Sequence, residues 1–540
     1  MSAPNEVKTP DDGSERTRIA RAAGLISALT LVSRVLGLVR ETVFAGLVGA
    51  GYHSDAFRIG FRVPNLLRDL FAEGALSAAF VPTYARAMKD RGREEAFRLA
   101  NRVLTLVAVV LAAVVLLGIV FAHVVVAKLA PGFADEAGKT ALTVTLTRIM
   151  MPFLPLVSFA AVAMGMLNAE ERFGAPALSP ALFNVMTIGC GVLLWAMGLP
   201  PDQVVLGWAA GTLVGGLAQF AAQVPSLRRA GWRFRPEWAP ADPALREMAR
   251  LMAPATVGLA AVQVNIFVNS YFASHDQGAV SWLDCAFRLL YLPIGLFGVA
   301  LGTIATAGLA RRAANRDTEG LRHTLRQTLS MLAYLTVPAS AGLVAVGVPV
   351  VRLLFEHGRF TPADTHATAA ALSVYSLGLI GYTGVKVLAP AFYALGRPRV
   401  PLVASASAVA TNIAVVLALS PYFSYGAIAL GTALGSLVNV TILLAAFEHR
   451  VGGLFGRGLF RGIARMLPAA AAMAVVAWVA AQVLERWLGT RGLPAHLATG
   501  LVPVALGVAA YGVLTRALRV EEADALWGTV RRLARRRAAA

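Results

Sequence analysis

The chain has 540 residues, of which 57% are hydrophobic and only 15% are charged, and its mean hydropathy is +0.65. This composition excludes a soluble multidomain enzyme of that length and predicts a membrane protein with many spans. The net charge of +19 does not indicate a nucleic-acid partner, because the basic residues lie in short loops between apolar stretches.

The N-terminal residues 1–24 are polar and are predicted to form a cytoplasmic arm without the features of a secretory signal. Apolar stretches follow, and one such as residues 103–127 is long enough to cross about 30 Å of hydrocarbon as a helix. Hydropathy predicts an all-α polytopic fold with about fourteen transmembrane helices. Their predicted starts lie near residues 27, 54, 101, 140, 178, 203, 249, 279, 328, 367, 400, 424, 463 and 496.

Arginine and lysine are concentrated in the loops that follow even-numbered spans. These loops carry Arg86, Lys89, Arg91 and Arg93; Arg228, Arg229, Arg233 and Arg235; Arg311, Arg312 and Arg316; Arg397 and Arg399; and Arg450, Arg457 and Arg461. Because cytoplasmic loops are enriched in basic residues, this pattern predicts that both termini are cytoplasmic. An even number of spans requires the same arrangement.

The second half of the sequence repeats the first at an offset of about 228 residues. DAFRIGFRVP at Asp55 aligns with DCAFRLLYLP at Asp284, PGFAD at Pro131 aligns with the segment at His357, and Asn184 aligns with Asn412. The repeat predicts two pseudo-symmetric six-helix lobes in the same orientation, with a transport site between them. The predicted ranges are 25–238 for spans 1–6, 239–450 for spans 7–12, 451–520 for the two additional C-terminal helices, and 521–540 for a basic cytoplasmic tail.

The second predicted span is unusually rich in charge. Its polar stripe repeats at helical spacing through Asp55, Arg58, Arg62, Asp69 and Glu73. Charged groups inside a span are costly, about 2.5 to 3.5 kcal/mol each, and normally face a cavity or one another. The proline within the stripe is predicted to kink or break the helix.

Basic residues exceed acidic ones among these intramembrane charges, and we predict that Arg34, Arg40, Arg68 and Arg288 are in part unneutralised. Guanidinium groups bind phosphate oxygens in two-point contacts, so an anionic ligand such as a diphosphate is the predicted occupant. A purely structural ion pair remains an alternative, especially for Asp284 and Arg288, which are spaced i, i+4.

Catalytic and metal-binding motifs are not indicated. The sequence has no Walker A loop, no DxD pair and no acidic DDxxD-like cluster. His357 and His366 are the nearest approach to a ligand pair, and Cys190 with Cys285 are interpreted as small core residues. We therefore expect a protein that is not an enzyme and has no metal or cofactor.

Several motifs, in this order and spacing, resemble the MurJ (MviN) lipid II flippases of the MOP exporter superfamily. They include SRVLGLVRE at Ser33, VPNLLRDLFAEGALSAAFVP ending at Pro82, RFGAPALSPALFN at Arg172 and VKVLAPAFYALGRP at Val385. The resemblance covers nearly the whole apolar region of the chain.

The resemblance implies a V-shaped carrier in the bacterial cytoplasmic membrane that moves the peptidoglycan precursor lipid II from the cytoplasmic to the periplasmic leaflet. The two C-terminal helices are then expected to form a groove for the polyprenyl tail. Membrane lipids and cell-wall synthesis proteins are further expected partners. The substrate-binding residues that it implies, together with the charged residues above, are Arg34, Arg40, Arg68, Arg288, Asp55, Glu73, Asn65 and Asp284.

Some members of this family bind sodium, and Asn269 and Asn412 match that pattern here. Val416, one turn after Asn412, cannot supply a side-chain oxygen, so coupling to sodium and coupling to the membrane potential both remain open. Two other departures are Asp69, where a second basic residue is usual, and Tyr291, where an acidic or amide residue often stands.

Other functions fit part of the sequence. A flippase for another polyprenyl-linked oligosaccharide would share the basic cavity, whereas an exporter of cationic drugs would need an acidic one. A membrane scaffold for cell-wall enzymes that transports nothing is the alternative from a different class.

Overall fold

The computed structural model describes residues 12–69, 75–454 and 457–528. These residues form α-helices, and the absence of any strand within the described ranges agrees with the predicted all-α fold. The first ten helices are α1 Asp12–Val48, α2 Tyr52–Arg68, α3 Ala75–Arg91, α4 Arg93–Val120, α5 Ala122–Leu129, α6 Lys139–Met150, α7 Phe153–Ala169, α8 Gly174–Ala196, α9 Pro201–Ala221 and α10 Val224–Arg229. The following helices are α11 Pro243–Ala273, α12 Ala279–Pro293, α13 Ala300–Ala314, α14 Thr318–Ala345, α15 Gly347–Phe355, α16 Pro362–Ser376, α17 Leu379–Ala394, α18 Arg399–Phe423, α19 Tyr425–Arg450, α20 Arg457–Leu488 and α21 Leu493–Ala517.

Ten helical segments in the described chain are long and apolar enough to cross a membrane. They are Arg93–Val120, Lys139–Ala169, Gly174–Ala196, Pro201–Arg229, Ala279–Ala314, Thr318–Ala345, Arg399–Phe423, Tyr425–Arg450, Arg461–Leu488 and Leu493–Ala517. The pair α16 and α17, bent by 46°, is an eleventh if it is counted as one span. The chain is therefore a multi-pass membrane protein, and each of the fourteen predicted spans coincides with a helix, which is consistent with that number.

The third predicted span differs from its expected bounds. Its helix α4 has 28 residues and begins at Arg93, well before the predicted start near residue 101. It ends at Val120 because Phe121 leaves the helical conformation, with ψ at 7°. At 1.5 Å per residue α4 is about 42 Å long, longer than the hydrocarbon layer, so its charged N-terminal turns extend beyond the apolar stretch.

The chain divides into two compact units, of which unit 1 comprises Met1–Val48, Ala56–Ala127 and Ala137–Ala260. Part of its core lies where Phe44 of α1 packs on Trp208 of α9, with ring centroids 5.1 Å apart. The helices α8 and α9 approach closely at Gly211, where a Cβ atom would lie 2.9 Å from Cys190. Small residues permit this kind of close helix packing in membranes.

Unit 2 comprises Gly49–Asp55, Lys128–Glu136 and Ala261–Ala540. Its helices α18 and α19 pack closely at Gly435, where a Cβ atom would lie 2.6 Å from the carbonyl oxygen of Ala408. A π-helical segment, Ile294–Val299, joins α12 to α13 directly after Pro293. The domain ranges that we derived from the sequence repeat stay predictions.

Candidate functional site

Two arginines and one glutamate form a buried charged cluster in unit 1. Arg40 donates to Glu41 at 2.8 Å, and Arg58 lies 3.5 Å from the other oxygen of the same carboxylate. Each guanidinium also lies over an aromatic ring, Arg40 over Phe183 at 5.3 Å and Arg58 over Phe44 at 5.6 Å. Two positive groups thus share one carboxylate in a cluster whose glutamate and Arg58 are both 6% exposed.

The end of α2 carries a second arginine pair. Arg68 donates to the carboxylate of Asp69 from Nη2 at 3.0 Å and from Nε at 3.3 Å, and both side chains are half-buried. The helix passes through Pro64 without ending, so of the predicted kink or break the break does not occur and the kink stays a prediction. Asn65 lies within this part of α2 and is half-buried, whereas Glu73 lies outside the described residues.

These ion pairs show that two of the arginines predicted to carry unneutralised charge have a carboxylate partner. Arg40 and Arg68 were predicted to be in part unneutralised, but each contacts the carboxylate that follows it in the sequence. Both contacts join sequence neighbours, because the long arginine side chain can bend back to the carboxylate beside it. Arg34 differs, since its side chain is exposed and no ion pair joins it to a residue in the described part of the chain.

Asn184 connects α8 to the part of α1 that carries Arg34. Its Nδ2 donates to the carbonyl oxygen of Ser33 at 3.2 Å and to that of Pro180 at 3.1 Å. This contact fixes the backbone adjacent to Arg34 while leaving its side chain exposed.

Asp55 lies in unit 2, where it caps a helix. It is fully buried and accepts hydrogen bonds from the backbone N–H groups of Gly278 at 2.8 Å and Ser281 at 3.0 Å. The hydroxyl of Ser281 donates to it as well, at 2.6 Å. A carboxylate on the first N–H groups of α12 is stabilised by their dipoles, so these contacts give Asp55 a structural role at that helix start.

Asp284 and Arg288 lie one turn apart on α12, as predicted. Arg288 is exposed and Asp284 is half-buried. Tyr291 follows on the same helix and is 51% exposed. The exposed face of α12 therefore presents an arginine and a phenol in unit 2.

The two asparagines expected from sodium-binding relatives meet in a cluster of unit 2. Nδ2 of Asn412 donates to the amide oxygens of Asn265 at 2.5 Å and Asn269 at 2.8 Å. The hydroxyl of Thr432 donates to Oδ1 of Asn412 at 3.3 Å. Asn265, one turn before Asn269, was not predicted, although the i, i+4 spacing of two asparagines in an apolar helix is a signal that could have found it.

This cluster fits a sodium ion poorly. It contains no carboxylate, Val416 next to it is fully buried and apolar, and the amide oxygens of Asn265 and Asn269 already accept from Asn412. A sodium ion needs several oxygen ligands directed at one point, and the oxygens of this cluster are directed at one another's N–H and O–H groups. No group of three or more His, Cys, Asp or Glu residues suited to a metal occurs in the described ranges.

An apolar cavity lies between α20 and α21, with a volume of about 460 Å³. It is lined by aliphatic side chains, among them Val475, Val479, Val483, Val502 and Leu506. A surface of this chemistry suits a hydrocarbon chain.

Comparisons with known proteins agree on one family. The family model described as "Lipid II flippase MurJ" matches residues 44–498. The Vibrio cholerae "Probable lipid II flippase MurJ" is 33% identical over 94% of this chain and 97% of its own length, and the Burkholderia cenocepacia "Lipid II flippase MurJ" is 34% identical over 88% and 92%.

Solved structures share the fold. One described as "Lipid II flippase MurJ, inward closed conformation" matches with a TM-score of 0.74 at 24% identity, covering 92% of this chain and 99% of its own. An inward-facing multidrug resistance MATE transporter of the MOP superfamily matches with a TM-score of 0.67 at 16% identity, covering 80% and 98%. The chain therefore shares its fold with both structures.

Proposed function

This chain belongs to the MurJ family of lipid II flippases, and on that premise we propose that it moves lipid II from the cytoplasmic to the periplasmic leaflet by alternating access. The substrate changes side, and no covalent bond forms or breaks. The protein acts as a transporter in the bacterial cytoplasmic membrane, with both termini in the cytoplasm. Cell-wall synthesis proteins are proposed partners.

The observation that carries this proposal is the excess of arginine on the first two helices. Residues 28–69 contain five arginines and three carboxylates. Glu41 is shared by two of the arginines, Asp69 is bound to a third, and Asp55 accepts from the start of α12. Five arginines against three carboxylates give this stretch a net positive charge, which favours an anionic group, and the diphosphate of lipid II supplies one.

Arg34, Arg40, Arg68 and Arg288 are the proposed phosphate-binding residues. Arg34 and Arg288 have exposed side chains, which supports direct contact with the headgroup. The carboxylates of Glu41 and Asp69 contact the guanidinium groups of Arg40 and Arg68, and we propose that these two groups also contact the phosphate oxygens of the substrate. Asn65, Glu73 and Asp284 are proposed to orient the same headgroup.

We propose that the polyprenyl tail occupies the cavity between α20 and α21. The aliphatic lining supports this assignment, because such a surface offers no polar partner and gains from covering by hydrocarbon. The headgroup can then change sides while its tail stays in the apolar layer.

We further propose that transport does not depend on sodium. The amide and hydroxyl groups of this cluster hydrogen-bond to one another and no carboxylate of the described residues joins them, which supports this view. The membrane potential is then the proposed source of coupling, since about 2.3 kcal/mol is available per charge per 100 mV.

The experiment replaces Arg34, Arg68 and Arg288 singly by Ala in a bacterium whose own flippase is depleted. We expect loss of growth and accumulation of lipid II in the cytoplasmic leaflet at normal protein levels. Arg311→Ala, an exposed arginine at the end of α13, is the matched control and should support growth.

Two outcomes would change the assignment. Growth of all three variants would favour a scaffold that transports nothing. Accumulation of a different polyprenyl-linked glycan on depletion would keep the transporter and replace its substrate.

A further inference from the structure

A second cavity, of about 880 Å³, lies within unit 1, and none of the residues of the candidate functional site lines it. It is enclosed by α4, α7, α9, α10 and the segment after α10. Its wall is mainly apolar, with two arginines: Leu104, Phe159, Phe220, Phe234, Arg228 and Arg233. The volume is within the range of cavities that bind small ligands.

Side-chain hydrogen bonds fasten the segment after α10 to α4. The indole N–H of Trp232 donates to Asn101 at 3.0 Å, and Nδ2 of Asn101 donates to the carbonyl oxygen of Arg233 at 3.2 Å. Four residues after Arg233, the backbone N–H of Glu237 donates to the hydroxyl of Thr105 at 3.1 Å. The cavity wall is thus fixed in position by buried and half-buried polar groups.

Two acidic side chains of this segment, Glu237 and Asp242, bind Arg102 of α4 and not the arginines of the cavity. Arg102 of α4 contacts Glu95 at 3.1 Å, Glu237 at 3.0 Å and Asp242 at 2.8 Å. One arginine therefore gathers three carboxylates.

The two arginines of the cavity, unlike Arg102, have no carboxylate partner within the described ranges. The side chains of Arg228 and Arg233 are exposed, and neither forms an ion pair with any residue in ranges 12–69, 75–454 and 457–528. A pair of guanidinium groups at the edge of an apolar cavity is complementary to a ligand with an anionic head and a hydrocarbon body.

We propose that this cavity binds one anionic phospholipid of the cytoplasmic leaflet. Its phosphodiester contacts Arg228 and Arg233, and an acyl chain lies against Phe159 and Phe220. The level in the membrane is appropriate, because Arg228 lies at the end of the candidate span Pro201–Arg229, where lipid phosphates are found.

The lipid-facing surface of α4 supports an acyl chain as the occupant. Val109 and Val110, directly after Ala108 of the cavity wall, are 50% and 44% exposed. Exposed aliphatic side chains on a spanning helix are expected to face hydrocarbon. The site needs only a membrane, so it does not depend on the proposed transport of lipid II.

The test measures lipid binding to the full-length protein by native mass spectrometry in detergent. We expect one phosphatidylglycerol molecule to be retained per chain, and phosphatidylcholine to be lost. The double variant R228Q/R233Q should bind phosphatidylglycerol roughly 30-fold more weakly, since each basic residue near an anionic surface contributes about one factor of five.

R229Q/R235Q is the matched control, because these two arginines are exposed on the same segment and do not line the cavity. It should retain wild-type binding. A108F, which fills the cavity without altering charge, should weaken binding as well. Size-exclusion profiles and unfolding temperatures establish that each variant is folded.

Three results would overturn the proposal. Equal losses in the two double variants would mean that the segment attracts anions without a site. Equal retention of phosphatidylcholine would remove the role of charge, and displacement by an equal concentration of undecaprenyl diphosphate would assign the cavity to the transported lipid.

Discussion

In the sequence repeat, the first helix of unit 1 and the first long helix of unit 2 carry different polar side chains at matching positions. Asn184 and Asn412 are 228 residues apart (412 − 184), and the same separation relates Glu41 of α1 to Asn269 of α11. In unit 1 the glutamate contacts two arginines. In unit 2 the matching asparagine accepts from Asn412 in an uncharged cluster.

The pairing of helices is nevertheless the same in both units. Asn184 of the fifth span bonds to the first-span helix α1, and Asn412 of the eleventh span bonds to the seventh-span helix α11. The helix arrangement therefore does not require charge. Charge in unit 1 therefore needs another explanation, and the anionic headgroup that we propose as its ligand is one.

The largest expected effect comes from removing the shared carboxylate in unit 1. Glu41→Gln leaves Arg58 buried beside a neutral amide, and loss of one partner of a buried pair costs about 3 kcal/mol or more. We expect a much lower thermal unfolding temperature of the purified protein, measured by scanning fluorimetry.

Glu94→Gln is the control for this variant. Glu94 is 90% exposed and pairs with Arg98 over one turn at 3.9 Å, a contact of little energetic weight. An unfolding temperature for Glu41→Gln that equals that of the control would mean that the charged cluster is not a structural element of unit 1.

The uncharged cluster should show a smaller effect. Asn412→Ala removes hydrogen bonds to Asn265, Asn269 and Thr432 and is expected to cost about 1 to 2 kcal/mol. Asn184→Ala removes contacts to two backbone carbonyls only and should cost about half as much. The two unfolding temperatures, compared in the same detergent, measure the difference, and the reverse order would contradict the comparison between the units.

The smallest expected effect is that of sodium. Exchange of sodium chloride for choline chloride should leave the unfolding temperature of the wild-type protein unchanged, because a ligand that does not bind cannot stabilise the native state. Val416→Asp adds the missing carboxylate next to Asn412 and should make stability sodium-dependent. Sodium-dependent stabilisation of the wild type would refute the proposed independence.

Local features of the fold could be predicted from the sequence, and distant partners could not. The helices followed from hydropathy, because the apolar layer forces each long apolar stretch to bond internally. The cap that Asp55 provides to Ser281 joins residues 226 positions apart, and no periodic pattern reveals such a contact.

The candidate site shows the same limit. The stripe through Arg58 was predicted, but Arg58 was not included among the binding residues, although it shares Glu41 with Arg40. The charged residues of the sequence were enough to identify α1 and α2 as the region of the candidate site. Which carboxylate contacts which arginine depends on side-chain packing, and the sequence does not show it. The cavity at Arg228 and Arg233 was also missed, because a basic loop after a span has an ordinary explanation in membrane topology.

The π-helical segment Ile294–Val299 has a consequence for how the eighth span is built. A widened turn holds one additional residue, so every side chain after it is rotated by about 100° from the face that a regular helix would give it. This offset lets α12 turn Arg288 outward while Gly302 of α13 lies against the backbone of Lys386. Deleting a single residue here would restore regular pitch. The span could then keep either the outward direction of Arg288 or the contact between Gly302 and Lys386, but not both.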